Sequence, residues 1–119
     1  MYQRDIAHII VQTLKRTTGK GPNLVKVNIS ENVIIIDIKG ALTTLEHTLI
    51  KKSCQNVLLV KVIRKKIINA ELANITAEFK QLTHMPDLQI KCFTSEIDYE
   101  NDRQIILFIC NKFLLEYSY

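Results

Sequence analysis

Tryptophan is missing from this chain of 119 residues, which holds only two prolines and three glycines. So few breakers exclude collagen-like, proline-rich and glycine-rich linker architectures and leave long stretches free for regular structure. Acid is in short supply: twelve Asp and Glu stand against sixteen Lys and Arg, a formal charge of +4 with a pI near 9.0. Such an excess is compatible with an acidic partner, nucleic acid or a membrane surface, and more commonly with a solvated face. Cysteine is scarce and odd in number, Cys54, Cys92 and Cys110, with no C-x-x-C pair. A disulfide framework and a zinc ribbon are therefore not expected. The apolar neighbours of each thiol predict free, buried cysteines in a reducing compartment. No apolar run approaches the roughly 18 residues of a membrane span. The opening MYQRDIAHII carries acid and histidine and lacks a small-residue cleavage site, so no signal peptide is expected and the expected location is cytoplasmic.

What is present is aliphatic. Apolar residues make up 47% of the chain, enough for one core, and the length predicts a single domain, 1–119, with an apolar-aromatic tail from about 111 to 119. Ile6, Ile9, Ile10 and Leu14 recur at helical spacing, between Asp5 and the pair Lys15-Arg16; those charges suit the helix dipole, and Gly19 can end the helix. LVKVNIS (24–30) and NVIIIDIKG (32–40) are β-branched runs close enough to pair as a hairpin. Thr43 or Thr44 can cap a helix with Glu46 in its first turn, and neither glycine nor proline intervenes before Pro86. LQIKCFTSEI (88–97) and RQIILFIC (103–110) predict a second hairpin across the turn residues DYEND. The expected fold is α+β, in the order α-β-β-α(long)-β-β: two antiparallel hairpins packed with a long central helix.

That long segment, about Thr43 to His84, is unusual in its faces. On an idealised wheel, Ile68, Leu72, Ile75, Phe79 and Leu82 make one stripe, continued by Ile50, Cys54 and Val57. A second stripe holds Leu45, Leu49, Val60, Ile63 and Ile67. The first half thus has two apolar faces. One can pack on a sheet; the other needs a second helix, most simply from another copy, so a homodimer is expected. The alternative is a break near Asn69, with each half packed separately.

The chemistry is spare. GKGP (19–22) follows a predicted helix and precedes a strand, and Lys20 is not followed by Ser or Thr. A P-loop has the opposite context, and Pro22 removes an amide that such a cradle would use, so the stretch is read as a helix C-cap and entry turn. His8, His47 and His84 have no acid or cysteine at motif spacing. Catalytic, cofactor and metal residues are accordingly not assigned, and no enzyme is expected. Glu96, Asp98, Glu100 and Asp102 alternate, and would share a strand face on which a cation could bind. Lys51, Lys61, Lys65 and Lys66 cluster on the wheel, flanked by Lys52 and Arg64. Lys51, Lys61, Arg64, Lys65 and Lys66 are thus the candidate partner-binding residues, for phosphates or an acidic protein, although no aromatic is present there to stack on bases.

Two motifs add a resemblance. Gly19, Lys20, Gly21 and Pro22, then a strand pair, then Lys39, Gly40, Leu42, Thr43 and Glu46 leading into a long helix, resemble the small bacterial family described as the third component of a sodium-translocating, membrane-potential-generating system, MpsC-like. Ser95, Ile97 and Arg103 fit the family's C-terminal segment, while Glu96 and Asp98 depart from it, and THMPDL replaces the usual Thr-Gly turn after the helix. The similarity spans roughly residues 5–110. It implies an accessory or regulatory subunit of an ion or bicarbonate transport system, with membrane transport components as partners; it carries over no catalytic residue. The other reading is a small basic nucleic-acid-binding protein using the Lys51–Lys66 stripe. A third is a cation-binding or ligand-sensing module built on Glu96 and Asp98.

Overall fold

The computed structural model describes residues 2–114, so residues 115–119 of the expected tail lie outside the described residues. Helix α1 runs Gln3–Thr18, with Asp5 in its first turn and Lys15 and Arg16 in its last; Gly19, at φ 81°, closes it in the left-handed region. Ile6, Ile10 and Leu14 form its buried stripe. Strands β1 (Leu24–Ser30) and β2 (Val33–Lys39) make the first hairpin, turning through Glu31 at φ 56°. After helices α2 (Thr44–Lys52) and α3 (Gln55–Thr83), strands β3 (Ile90–Asp98) and β4 (Arg103–Cys110) make the second. The hairpins join through β2 and β4 into one antiparallel sheet of order β1-β2-β4-β3. This is the expected α+β arrangement.

Strand register sorts every side chain to one of two faces, because strand residues alternate. One face carries Val27, Ile34, Ile36, Ile38, Ile106, Phe108 and Cys110, and meets Ile6, Ile10 and Leu14 of α1 and Ile68, Ile75 and Phe79 of α3. Phe79 and Phe108 touch edge to face, with ring centres 6.0 Å apart. Burying this aliphatic set is the main stabilising term, at about 25 cal/mol per Å² of apolar surface removed from water. Both α1 and α3 lie on this face. The other face packs against no helix among the described residues.

The helical segment departs from expectation in one place. It breaks at Ser53–Cys54, not near Asn69. Ser53 is extended (φ −161°, ψ 135°). Its hydroxyl accepts from the Gln55 amide at 3.2 Å, while the Asn56 side chain donates to the Leu49 carbonyl at 2.7 Å. These polar side chains serve the backbone groups that two helix ends leave unpaired. The break lets α2 fold back along the start of α3, so the same chain covers part of the doubly apolar segment; Val60 is buried, while Leu45 and Ile63 of the second stripe stay exposed. Leu42, Val60 and Ile97 form a small core there, with Ile50 packed against it. Helix α3 alone is about 43 Å long at 1.5 Å per residue, and the molecule measures 53 × 23 × 22 Å. Two of the cysteines also differ from expectation: Cys54 and Cys92 are exposed, because one falls at the helix break and the other beside an irregularity of the edge strand β3; Cys110 is buried.

Candidate docking surface and the clamp beneath it

The connection between β2 and α2 is held by charged side chains from three other places in the chain. Gly40 turns at φ 70°, and a Cβ there would run into the Asn23 side chain, so only glycine fits without strain. Its amide donates to the Asp102 carbonyl at 2.8 Å. Lys20 Nζ donates to the Gly40 and Leu42 carbonyls at 2.8 and 3.1 Å. The Asp102 carboxylate accepts from the Leu42 amide at 2.9 Å, and its other oxygen lies 3.2 Å from His47 Nε2. Lys20 therefore grips carbonyls; a phosphate cradle would present donors.

Arg64 completes the clamp. It is fully buried. Its Nε and Nη2 donate to the two Glu46 oxygens at 2.8 and 2.6 Å, and Nη2 also reaches the Ala41 carbonyl. Glu46 in turn accepts from the Thr43 amide at 2.8 Å, while the Thr43 hydroxyl accepts from the Glu46 amide: a capping box that starts α2. Burial pushes the Glu46 carboxyl up, but hydrogen bonds from Arg64 and Thr43 outweigh it and hold the group below its ordinary 4.5. Asp37 on the sheet is likewise lowered, by the two-pronged Arg103 pair at 2.7 Å and then by the nearby positive charges. Burial raises the Cys110 thiol to about 11, so it stays protonated.

The clamp ties the start of α2 to α3 through Arg64 and to the end of the β3–β4 turn through Asp102, and the outer surface of the two helices is the candidate site. Leu45, Leu58, Leu59, Val62 and Ile63 are exposed, Leu45 and Leu58 at 68% each. Lys51, Lys52, Lys65 and Lys66 are exposed around them and Lys61 is half-buried. No acidic residue occurs between Glu46 and Glu71. A shallow cavity of about 310 Å³, lined by Val62, Lys65, Lys66, Asn69 and Phe93, runs from this surface onto β3. Of the candidate partner-binding residues, Lys51, Lys61, Lys65 and Lys66 belong to this hairpin. Arg64 does not reach its surface, because it is fully buried, with Nε and Nη2 held by Glu46 and the Ala41 carbonyl. The alternating acids do not form one strand face: β3 ends at Asp98, a short 3₁₀ turn (Tyr99–Asn101) follows, and Asp102 points into the clamp. Among the described residues no three His, Cys, Asp or Glu side chains come together as a metal site would need. The His47–Asp102 contact escaped spacing arguments because 55 residues separate its members.

Fold and surface define a small two-layer α+β protein with a basic, apolar helical hairpin beside a hydrogen-bonded clamp. No helix among the described residues is long and apolar enough to cross a membrane. The chain belongs to the MpsC family, Na+-translocating membrane potential-generating system, whose model matches residues 1–112. No curated protein and no solved structure matches it. The two motifs that carried the resemblance, Gly19–Pro22 and Lys39–Glu46, meet in the clamp: Lys20 from the first holds the backbone of the second.

Proposed function

We propose that this chain is a non-enzymatic accessory or regulatory subunit of a membrane-potential-generating ion or bicarbonate transport system. It works in the cytoplasm as a homodimer, and docks on the membrane components of that system through the α2–α3 hairpin. Membership of the MpsC family, whose description is a Na+-translocating membrane potential-generating system, supports this reading. The observation that carries the docking role is the exposure of five large aliphatic side chains on a hairpin whose free charges are all lysine. Singly exposed apolar residues are ordinary, but a contiguous set rimmed by one sign of charge fits an acidic, partly apolar partner. The clamp supports this reading, since a docking element held at a fixed angle loses less entropy on binding.

Co-purification after gentle extraction tests it. The wild-type chain should retain membrane components of the transport system, and Leu58→Asp/Val62→Asp should lose them with its fold intact by circular dichroism. Retention by both proteins, or by neither, contradicts docking through the hairpin.

A further inference from the structure

The sheet face that no helix among the described residues covers is apolar at its centre and charged at its edges. Strand register lays out its rows: Asn28, Ile35, Leu107 and Thr94 form one row from β1 to β3, and Lys26, Asp37, Ile105 and Glu96 the next. On either side lie Ser30, Val33, Ile109 and Cys92, and Leu24, Lys39, Arg103 and Asp98. Five of these, Val33, Ile35, Ile105, Leu107 and Ile109, make a continuous aliphatic patch on the two central strands. None of them packs against the main core, and Ile35 is 36% exposed. A sheet with one solvated face ordinarily shows polar residues there. An apolar centre with a polar rim is the anatomy of an interface.

The charges say what fits it. Asp37 is already engaged by Arg103, which leaves Lys26 on the β1 edge and Glu96 and Asp98 on the β3 edge, with Lys39 on the central strand β2. The face is therefore positive at one edge and negative at the other. A two-fold axis parallel to the strands lays β1 of one copy over β3 of the next. It brings Lys26 level with the partner's Glu96, and Ile35 and Leu107 onto the partner's Leu107 and Ile35. A two-fold axis across the strands would stack like edges. The hairpin cannot serve the same purpose, because its free charges are all positive and two copies would repel.

We infer that this open sheet face is the self-association surface, closing two chains into a β-sandwich with the two-fold axis along the strands. The inference rests on the homodimer proposed above and assigns its surface; it leaves the hairpin free for the membrane partner. Sheets packed this way lie about 10 Å apart, with strands crossing near −30°. Four strands of about seven residues present a footprint of about 19 by 24 Å. That is towards the small end for a specific interface, so dissociation in the micromolar range is expected.

Solution mass by sedimentation, with thiol alkylation mapped by mass spectrometry, tests it on the full chain. At about 100 µM, well above such a dissociation constant, the wild type should run at twice 13.7 kDa. Ile35→Glu should weaken the dimer by about tenfold or more, since the carboxylate would be buried unpaired. Lys26→Glu and Glu96→Lys should each weaken it about twofold to fivefold, and the double swap should restore it. Alkylation of Cys92 should slow as protein concentration rises, while Cys54, at the hairpin tip, should not change. A wild type that is monomeric throughout overturns both the dimer and its surface. A dimer that survives Ile35→Glu, or that protects Cys54 in place of Cys92, overturns the surface and keeps the dimer.

Discussion

Arg64 sits one turn after Val60 and one turn before Ile68, the buried line of α3, and it is the arginine in a segment otherwise supplied with lysine. Guanidinium suits that place: its fork matches a carboxylate and still reaches a carbonyl, which an ammonium would do less well. Its role was legible in the i, i+4, i+8 spacing, yet its charge draws it into the surface stripe when charge alone is read. Removing one partner of a buried pair leaves the other charge uncompensated. Glu46→Ala should therefore lower unfolding free energy by about 3–5 kcal/mol, measured by urea denaturation. Glu46→Ala with Arg64→Met should lose clearly less than the single changes sum to. Glu46 and Asp37 both have folded pKa values below their ordinary 4.5 and 3.8. Their contribution is complete above about pH 4.5 and disappears as pH falls through the lowered values. The urea midpoint should stay level from neutral pH down to about 5 and drop below 4.5, with a shallower drop in Glu46→Ala.

At the scale of elements, the strands and α1 follow directly from their patterns: two-residue alternation, a first-turn acid, last-turn bases and a left-handed glycine. The helix break did not: Ser53 bonds only locally, to the Gln55 amide, while the Asn56 side chain reaches the Leu49 carbonyl across the break. Helix propensity alone favours continuing, and packing overrides it. Asn56→Ala should free the Leu49 carbonyl and loosen the end of α2, at about 1 kcal/mol. Faster amide exchange confined to the last turn of α2 and the residues after it, with sheet amides unchanged, is the expected reading; uniform acceleration across the protein would contradict it. The acidic alternation misled for a related reason. Period-two spacing implies a shared face only while the strand lasts, and β3 gives way to a 3₁₀ turn after Asp98.

The molecule as a whole is polarised. One end holds the sheet, with its open aliphatic face, and the other projects a hairpin of leucine, valine, isoleucine and lysine. Segment hydrophobicity made the surplus of apolar surface visible in the sequence. Which part of it the chain covers itself was not visible, since that depends on α2 turning back and on α1 and α3 choosing the same sheet face. Leu58→Ser should change stability by no more than about 0.5 kcal/mol, the usual range for an exposed site away from structural features, while weakening any hairpin contact. Sedimentation with inside-out membrane vesicles from cells carrying the transport system, over a range of salt, tests hairpin docking most directly. Docking predicts that the wild-type chain pellets with the vesicles and is released as salt rises, and that Lys61→Glu/Lys65→Glu/Lys66→Glu stays in the supernatant while still folding. Equal pelleting of wild type and variant, or no pelleting of either at low salt, would contradict it.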